Sequence, residues 1–198
     1  MSSEAGVRVV LVHGFLDTGW VFRRMKLRLE RQGAVCLVPR LRPNDGRGGL
    51  APLAENLKRD IGEAFGPSAK VRIVAFSMGG LVSRHYLQLL GGAGRCEKLF
   101  TISSPHHGTA TARFYPSKGA RDMRPGSAFL RSLQATEGTL RGVQLVSYRT
   151  PMDLMILPAT SSEWAPALNL DFPVLMHPLM LSDEDVLSDV ERRLMRQG

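Results

Sequence analysis

The stretch "KVRIVAFSMGGLVSRHYLQLL", residues 70–90, begins as an apolar run typical of a buried strand and continues as a helix, with Ser77 at the junction. Small residues two positions before and two after the serine, Ala75 and Gly79, allow strand and helix to approach closely. Such a turn raises a serine hydroxyl above the carboxyl edge of a sheet, at a helix N-terminus. The pattern favours a nucleophile, although glycine is usual where this chain has Ala75, and an N-cap serine without chemistry is the alternative.

Apolar runs and helical segments alternate on both sides of this stretch. The runs lie at 7–12, 34–38, 71–76, 99–103, 143–148 and 173–176, and the helical segments at 18–32, 52–65, 78–90, 127–135 and 183–196. Near-continuous hydrophobicity is typical of strands covered on both faces. We therefore predict an α/β fold in which a mostly parallel sheet of about six strands has helices on both faces. No repeat or linker divides the chain, so we expect one domain over residues 1–198.

One segment breaks this alternation. Residues 106–126, "HHGTATARFYPSKGARDMRPG", are rich in glycine, proline and arginine and have little periodicity. A connection of this length in a folded domain is usually functional or disordered. We predict that it forms a wall or partial lid over a site.

Composition limits the location and the redox chemistry of the chain. It has 198 residues, of which 43% are hydrophobic and 22% charged. The first apolar run lacks the basic start and cleavage site of a secretory signal, and no run reaches the roughly 18 apolar residues of a membrane span. We therefore predict a cytoplasmic location. Cys36 and Cys96 have no nearby partner or metal-ligand spacing, which favours two buried thiols over a disulfide.

Basic residues outnumber acidic residues by 26 to 18, which gives a net charge of +8. They cluster at 23–31 and again at 40–47, but no aromatic platform or recognition motif accompanies them. We therefore predict no nucleic-acid partner. The first cluster also has an apolar side, as the solvated face of a helix does. Peripheral contact with an anionic membrane surface is an alternative use of this charge.

A nucleophilic serine needs partners elsewhere in the chain. A base must remove its proton, and a third group must orient that base. Two N–H donors must also face the substrate oxygen on which negative charge develops. Residues 12–15, "VHGF", end the first strand, so the N–H groups of Phe15 and Met78 are predicted to form this oxyanion hole. His13 is more typical of a residue that fixes the loop than of the base.

Several segments extend the pattern in order: "LVHGF" (11–15), "AFSMGGLVSRHY" (75–86), "TISSPHHGT" (101–109), "RDMRPGSAFLRSL" (121–133), "YRTPMDLMILPATSS" (148–162) and "MHPLML" (176–181). With them the chain resembles, over nearly its whole length, the lipase and esterase branch of the α/β-hydrolase family. The closest likeness is to small bacterial lipases and to the domain of GPI inositol deacylases. The resemblance implies that Ser77, Asp153 and His177 form the triad, in the required chain order.

Other residues compete for the acid and the base. The competing carboxylates are Asp171, which precedes a predicted strand, and Asp183 and Asp185, which begin a helix where capping explains them. The competing histidines are His85, His106 and His107. His85 lies two turns beyond the serine, so its ring is expected to point away, and the other two precede the acid in the chain. The resemblance gives the "PHHG" loop a structural role, with lining of the acyl pocket as the alternative, and makes Arg84 an ion-pair or hydrogen-bond anchor.

These residues predict a serine hydrolase that cleaves carboxylic esters through an acyl-enzyme and needs no metal or organic cofactor. The predicted substrate-binding residues are Leu16, Trp20, Phe76 and His107. The chain begins almost at once with the strand that carries the oxyanion loop, and 198 residues leave no room for a large cap domain. We therefore expect an open site for small-molecule or lipid esters with short to medium acyl chains. The alternatives are a thioesterase, amidase or acyltransferase with the same triad, and a related protein that binds without turnover.

Overall fold

Six strands form one entirely parallel sheet in a computed structural model that describes residues 6–196. The strands are β1 (Arg8–Val12), β2 (Val35–Leu37), β3 (Val71–Phe76), β4 (Cys96–Ile102), β5 (Gln144–Arg149) and β6 (Leu168–Asp171). Their order across the sheet is β2-β1-β3-β4-β5-β6, so the chain reverses its direction of winding after β2. The predicted α/β sheet is confirmed. The ends of the predicted domain, residues 1–5 and 197–198, lie outside the described residues.

Helices cover both faces of the sheet. They are α1 (Arg23–Arg31), α2 (Leu50–Phe65), α3 (Met78–Leu89), α4 (Lys118–Asp122), α5 (Ala128–Ala135) and α6 (Glu184–Met195). The apolar sides of α1 and α6 pack on one face, and those of α2, α3 and α5 pack on the other. No helix within residues 6–196 has the length and apolar content needed to cross a bilayer.

Strand β1 shows why the central strands of this sheet have continuous apolar sequences. Val9 and Leu11 point into the core on the α1 and α6 face, while Val10 and Val12 point into the core on the α2 and α3 face. All four side chains are fully buried. Because successive side chains alternate between faces, a strand covered on both sides needs an apolar residue at every position.

The last predicted strand, 173–176, is wrong. The sixth strand is β6, whose register pairs Leu170 with Tyr148 on β5, and residues 173–176 form a loop. As an edge strand, β6 pairs on one side only and is partly exposed, so its sequence "LNLD" lacks the apolar run of a central strand. Asp171 therefore ends a strand, where it forms an ion pair with Arg149 over 2.7 Å.

The turn from β3 to α3 depends on close contact with the end of β1. A Cβ atom built on Gly79 would overlap the carbonyl oxygen of Val12 and would lie 2.7 Å from that of His13. These are backbone atoms of a central strand and its loop, so they cannot move aside as a flexible side chain can. Glycine at this position is therefore what lets α3 begin directly behind the serine.

We expect Gly79→Ala to lower the free energy of unfolding by at least about 2 kcal/mol, because the added methyl group must displace backbone in a packed core. Gly62→Ala is the matched control. It lies in α2 with nothing within 4 Å of the added atom, and it should stabilise the protein by about 0.5–1 kcal/mol. Urea denaturation measures both changes, and equal effects of the two substitutions would contradict the close approach.

Candidate active site

Ser77 occupies a strained turn between β3 and α3. Its backbone has φ 52° and ψ −123°, outside the regions that non-glycine residues favour. Its N–H donates to the carbonyl of Ile102 on β4 over 2.9 Å, and its own carbonyl accepts from Gly80 over 3.0 Å. Strain of this type costs about 1–3 kcal/mol and persists only where neighbouring structure enforces it. The turn therefore holds the half-buried serine at the carboxyl edge of the sheet.

His177 and Asp153 form a buried hydrogen-bonded pair. Nδ1–H of His177 donates to Oδ2 of Asp153 over 2.8 Å, and Oδ1 of Asp153 accepts from the N–H groups of Met155 and Ile156 over 2.9 Å each. Burial alone raises the pKa of Asp153, but the hydrogen bond and charge of His177, together with the two N–H donors, lower it below the usual value. The lowered pKa favours the ionised carboxylate, and both of its oxygens accept hydrogen bonds.

The ring of His177 packs against Phe76, the residue before the serine, with 4.7 Å between ring centroids. The loops after β5 and β6 therefore bring the acid and the base to the same edge of the sheet as Ser77. Among residues 6–196, no hydrogen bond involves the Ser77 hydroxyl, so the structure joins two of the three predicted triad residues directly. Bonds between nucleophile and base are often long without substrate.

Two backbone N–H groups beside the serine are free to bind an anion. Among the described residues, neither Phe15 nor Met78 donates its N–H to another protein atom. Met78 is the first residue of α3, where the N–H has no partner within the helix. A Cβ built on Gly14 would lie 3.1 Å from Cβ of Ser77, which brings the loop after β1 beside the nucleophile.

His13 fixes this loop, as predicted. Its Nδ1–H donates to the carbonyl of Gly14 over 3.0 Å, and its Nε2 accepts from the N–H of Leu41 over 3.3 Å. Burial lowers the pKa of His13, against the opposing effects of that carbonyl and of Asp17. Both ring nitrogens are occupied in the neutral form, so His13 is not the base.

Asp17 is a feature of this loop that the sequence patterns did not single out. A Cβ on Gly14 would lie 2.7 Å from its Oδ2, on the same glycine that faces Ser77. Burial raises the pKa of Asp17, while the charges of His13 and His177 oppose that rise. Its position two residues after Phe15 was the available signal, because residues in the oxyanion loop lie beside the reacting atoms.

The four predicted substrate-binding residues lie in different surroundings. Leu16 and Trp20 are exposed on the loop after β1, Trp20 with 72% of its surface accessible. Phe76 is buried and supports the ring of His177. His107 is exposed, and its N–H donates to the carbonyl of Ser161. Of the four, Phe76 contacts a predicted triad residue, and the binding role of all four stays a prediction.

The 106–126 segment contains a 3₁₀ turn, Ala110–Phe114, and the short helix α4. Its parts are tied to neighbouring loops: Thr109 Oγ1 accepts from the N–H of Leu157 over 2.8 Å, and Gly119 N–H donates to the carbonyl of Gly46 over 2.8 Å. The ring of Tyr115 meets Phe15 edge-on, at 5.1 Å between centroids. These contacts favour a wall beside the oxyanion loop over a moving lid.

Arg84 anchors the helix behind the serine, as predicted. Its guanidinium forms an ion pair with Glu137 over 2.7 Å and lies 4.5 Å from the centroid of the Trp164 ring. A further N–H donates to Nδ1 of His106 over 3.2 Å. Burial lowers the pKa of Arg84 to about 10, although Glu137 opposes the shift.

His106 is buried as the neutral form in this network. Its Nδ1 accepts from Arg84, and its Nε2–H donates to Thr101 Oγ1 over 3.0 Å. The ring stacks on Trp164 with 4.6 Å between centroids. Burial, reinforced by the charge of Arg84, lowers the pKa of His106 well below its usual value. A structural role therefore accounts for this histidine.

Outside the predicted triad, the described residues contain neither a disulfide nor a metal site. Cys36 and Cys96 are free, as predicted, but only Cys96 is buried, and Cys36 is half-buried on the edge strand β2. Burial raises their pKa values to about 11 and 12, so both thiols are protonated at neutral pH. Within residues 6–196, no cluster of three or more histidine, cysteine, aspartate or glutamate side chains is arranged to hold a metal ion.

Comparisons with known proteins agree with this architecture. A family model described as alpha/beta hydrolase fold matches residues 7–178. No curated protein matches the chain significantly.

Several solved structures share the fold. The mature Bacillus licheniformis lipase BlEst2 matches with a TM-score of 0.80 at 16% identity, over 98% of this chain and 94% of that chain. Aspergillus fumigatus lipase B matches with a TM-score of 0.82 at 15% identity, over 98% of this chain and 53% of that chain. A pyrethroid hydrolase from Sphingobium faniae JZ-2 gives 0.66 at 13% identity, over 95% and 97%. At these identities, the likeness concerns the fold alone.

We expect stability to fall below about pH 6.5, because an unfolded chain protonates its histidines there while the folded state holds His106 neutral. This residue contributes a loss of up to about 1.4 kcal/mol in the free energy of unfolding per pH unit. His106→Gln should remove that contribution, and His107→Gln, at the exposed neighbour, should keep it. Urea denaturation at pH 7.5 and 5.5 measures the difference. Equal pH dependence in the two variants would contradict the neutral, buried His106.

Proposed function

The chain belongs to the α/β-hydrolase fold family, and from this premise we propose that it is a serine hydrolase of carboxylic esters. The observation that carries the proposal is the buried His177–Asp153 hydrogen bond, whose imidazole packs on Phe76, directly before the strained Ser77. A buried carboxylate that orients a histidine beside a serine is the arrangement that serine hydrolases use. The free N–H groups of Phe15 and Met78 add further support.

In the proposed reaction, the Ser77 hydroxyl attacks the ester carbonyl while Nε2 of His177 accepts its proton. Asp153 holds the Nδ1–H of the imidazole and stabilises the imidazolium that forms. The N–H groups of Phe15 and Met78 bind the oxyanion of the tetrahedral intermediate, and one such donor is typically worth about 2.7–4 kcal/mol. His177 then returns the proton to the leaving alcohol, and water repeats the sequence on the acyl-enzyme.

Exposed apolar side chains at the carboxyl edge of the sheet support the proposal that the substrate ester carries an apolar acyl group. We define the apolar collar as the exposed large apolar side chains of the loops after β1, β4, β5 and β6: Leu16, Trp20, Phe114, Tyr115, Met152, Leu154, Met155, Leu157, Leu175, Met176 and Leu179. Large exposed apolar side chains concentrated at one edge of a fold are typical of a binding surface. We therefore propose apolar or lipid esters as substrates.

Contact with an anionic membrane surface is compatible with the same collar, since the chain carries a net charge of +8. Both that contact and the cytoplasmic location stay predictions from the sequence. Binding of phosphatidylglycerol vesicles, compared with phosphatidylcholine vesicles, tests the contact.

Two alternatives use the same fold. A thioesterase, amidase or acyltransferase would keep the triad and change the bond or the acceptor, and relative rates on matched ester, thioester and amide substrates separate these activities. A protein that only binds its ligand would not react with a fluorophosphonate, because such labelling needs an activated serine. The likeness in fold to structures named as lipases supports an ester, rather than a thioester or amide, as the substrate.

We expect Ser77→Ala to abolish fluorophosphonate labelling and to lower kcat for p-nitrophenyl butanoate at least about 10³-fold, because the nucleophile is lost. Asp153→Asn should lower kcat about 10⁴-fold by disturbing the histidine tautomer. Ser68→Ala, at an exposed serine before β3, is the control and should retain both properties.

Circular dichroism establishes that the variants are folded. Labelling of the folded Ser77→Ala variant would refute the nucleophile, and a larger loss from Asp171→Asn than from Asp153→Asn would refute the acid.

The collar predicts a dependence on acyl length. Phe114, with 85% of its surface exposed, should contact longer acyl chains, so Phe114→Ser should lower kcat/KM for p-nitrophenyl octanoate about fivefold more than for the acetate. Leu89→Ser, at an exposed leucine at the end of α3, should leave the ratio of the two values unchanged. An equal octanoate-to-acetate ratio in all three proteins would exclude Phe114 from the acyl site.

A further inference from the structure

A large basic cavity lies next to the predicted triad without including it. Its volume is about 1080 Å³, and the loops after β1 and β2, together with α1, form its walls. Five cationic side chains line it: Arg23, Lys26, Arg40, Arg42 and Arg47. Asp17 is the one carboxylate in this lining. We call this space the basic cavity.

Within residues 6–196, three of these cations have no acidic partner. Lys26 pairs with Glu30 over 2.7 Å, and Arg47 pairs with Asp45 over 2.9 Å. Among the described residues, Arg23, Arg40 and Arg42 form no ion pair. The positive charge of the cavity lining therefore exceeds the negative charge of Asp17 and of the two carboxylates paired with Lys26 and Arg47.

The rest of α1 shows that acidic partners are available elsewhere on this helix. Arg24 and Arg28 form ion pairs with Glu184 of α6, and Arg28 also pairs with Glu191 over 2.6 Å. The guanidinium of Arg23 instead lies 5.0 Å from the centroid of the Trp20 ring, at the wall of the basic cavity. The two arginines of α1 that reach α6 are thus paired with carboxylates, whereas Arg23, at the basic cavity, is not.

Asp17 connects the lining of the basic cavity with the surroundings of Ser77. A Cβ on Gly14 would lie 2.7 Å from Oδ2 of Asp17 and 3.1 Å from Cβ of Ser77, so the two side chains flank the same glycine. A second cavity of about 470 Å³ shares Asp17, Trp20 and Arg23 with the basic cavity and extends to Phe76 and Pro178. Asp17, which lines both cavities, thus lies between them and Ser77.

We propose that the basic cavity binds a phosphate group carried by the substrate ester, with the ester carbonyl at Ser77 and the acyl chain on the apolar collar. This inference rests on the proposed function. Guanidinium groups suit phosphate because their paired N–H donors match its oxygens. The volume exceeds what a small neutral alcohol fills, and a neutral alcohol would leave the three unpaired arginines without a ligand.

Asp17 is the opposing charge in this site. Its carboxylate repels an anion, and its neutral form is favoured by burial, which raises its pKa. Asp45 and Glu30 are not part of the lining, and each forms an ion pair with a cation that is, Arg47 and Lys26 respectively. Phosphate binding is therefore expected to use Arg40 and Arg42 most directly, because they carry no pair and lie together on the loop after β2.

The test compares two substrates that differ only in phosphate, 1-butanoylglycerol and 1-butanoylglycerol 3-phosphate. Both are monomeric in water, so membrane binding does not contribute. The wild-type protein should prefer the phosphate in kcat/KM. Arg40→Gln with Arg42→Gln should lower kcat/KM for the phosphate at least about tenfold more than for butanoylglycerol, since hydrogen bonds to charged groups are lost.

The matched control is Arg31→Gln with Arg141→Gln. It removes the same charge at two exposed arginines that precede β2 and β5, at the opposite edge of the sheet. It should leave the ratio between the substrates within about twofold of wild type, because charges beyond a Debye length are screened. If the control variant lowers the phosphate-to-butanoylglycerol ratio as much as the cavity variant does, the effect comes from net charge alone and the proposal is wrong.

Calorimetry with the ether analogue 1-O-butylglycerol 3-phosphate separates this inference from the proposed function. Binding that depends on Arg40 and Arg42 supports the phosphate site even if no ester is turned over, and the absence of turnover then refutes only the hydrolase. Ester turnover without preference for the phosphate, and with no binding of the analogue, overturns the site. If the cavity variant loses binding only to phosphatidylglycerol vesicles, the arginines contact a membrane and the proposal is wrong.

Discussion

The close approach of α3 to the end of β1 is the constraint on which the rest of the site depends. Because Gly79 has no Cβ, the helix begins directly above the carbonyls of Val12 and His13. The chain must then turn within one residue, and the backbone of Ser77 adopts a strained conformation with φ 52°. The same contact brings the loop after β1 beside the serine, so one packing contact positions both the proposed nucleophile and the proposed N–H donors.

The parallel sheet supplies the remaining groups. All six strands end at one edge, so loops that are far apart in the chain meet above the serine. The loop after β5 provides Asp153, and the loop after β6 provides His177. The same geometry gathers apolar side chains into the collar and arginines into the basic cavity. An ester with an apolar acyl part and an anionic alcohol part is complementary to that division of the edge.

Local patterns were sufficient for the central strands and for the serine turn. Four of the five matching apolar runs are central strands, which are covered on both faces and therefore need apolar residues, and the fifth is the short edge strand β2. The small residues around Ser77 reflect a steric need. The sixth strand was misassigned because the apolar residues 173–176 belong to a loop, while β6 is a partly exposed edge strand.

Some of the site depends on tertiary contacts that no local pattern encodes. The neutral state of His106 depends on burial in the folded core and on the charge of Arg84, 22 residues earlier in the chain. The sequence contains both basic clusters, but their convergence on one cavity depends on how α1 packs against the loop after β2. Asp153 and His177 required the family resemblance, because carboxylates and histidines occur elsewhere in suitable chain order.

The most direct measurement of the central claim is a crystal structure of the protein after reaction with a p-nitrophenyl alkylphosphonate, which mimics the tetrahedral intermediate. We expect phosphorus bonded to Oγ of Ser77, a phosphonyl oxygen about 3 Å from the N–H groups of Phe15 and Met78, and Nε2 of His177 within hydrogen-bond distance of Oγ. A phosphonate attached to another residue, or an oxygen that contacts neither N–H group, would contradict it.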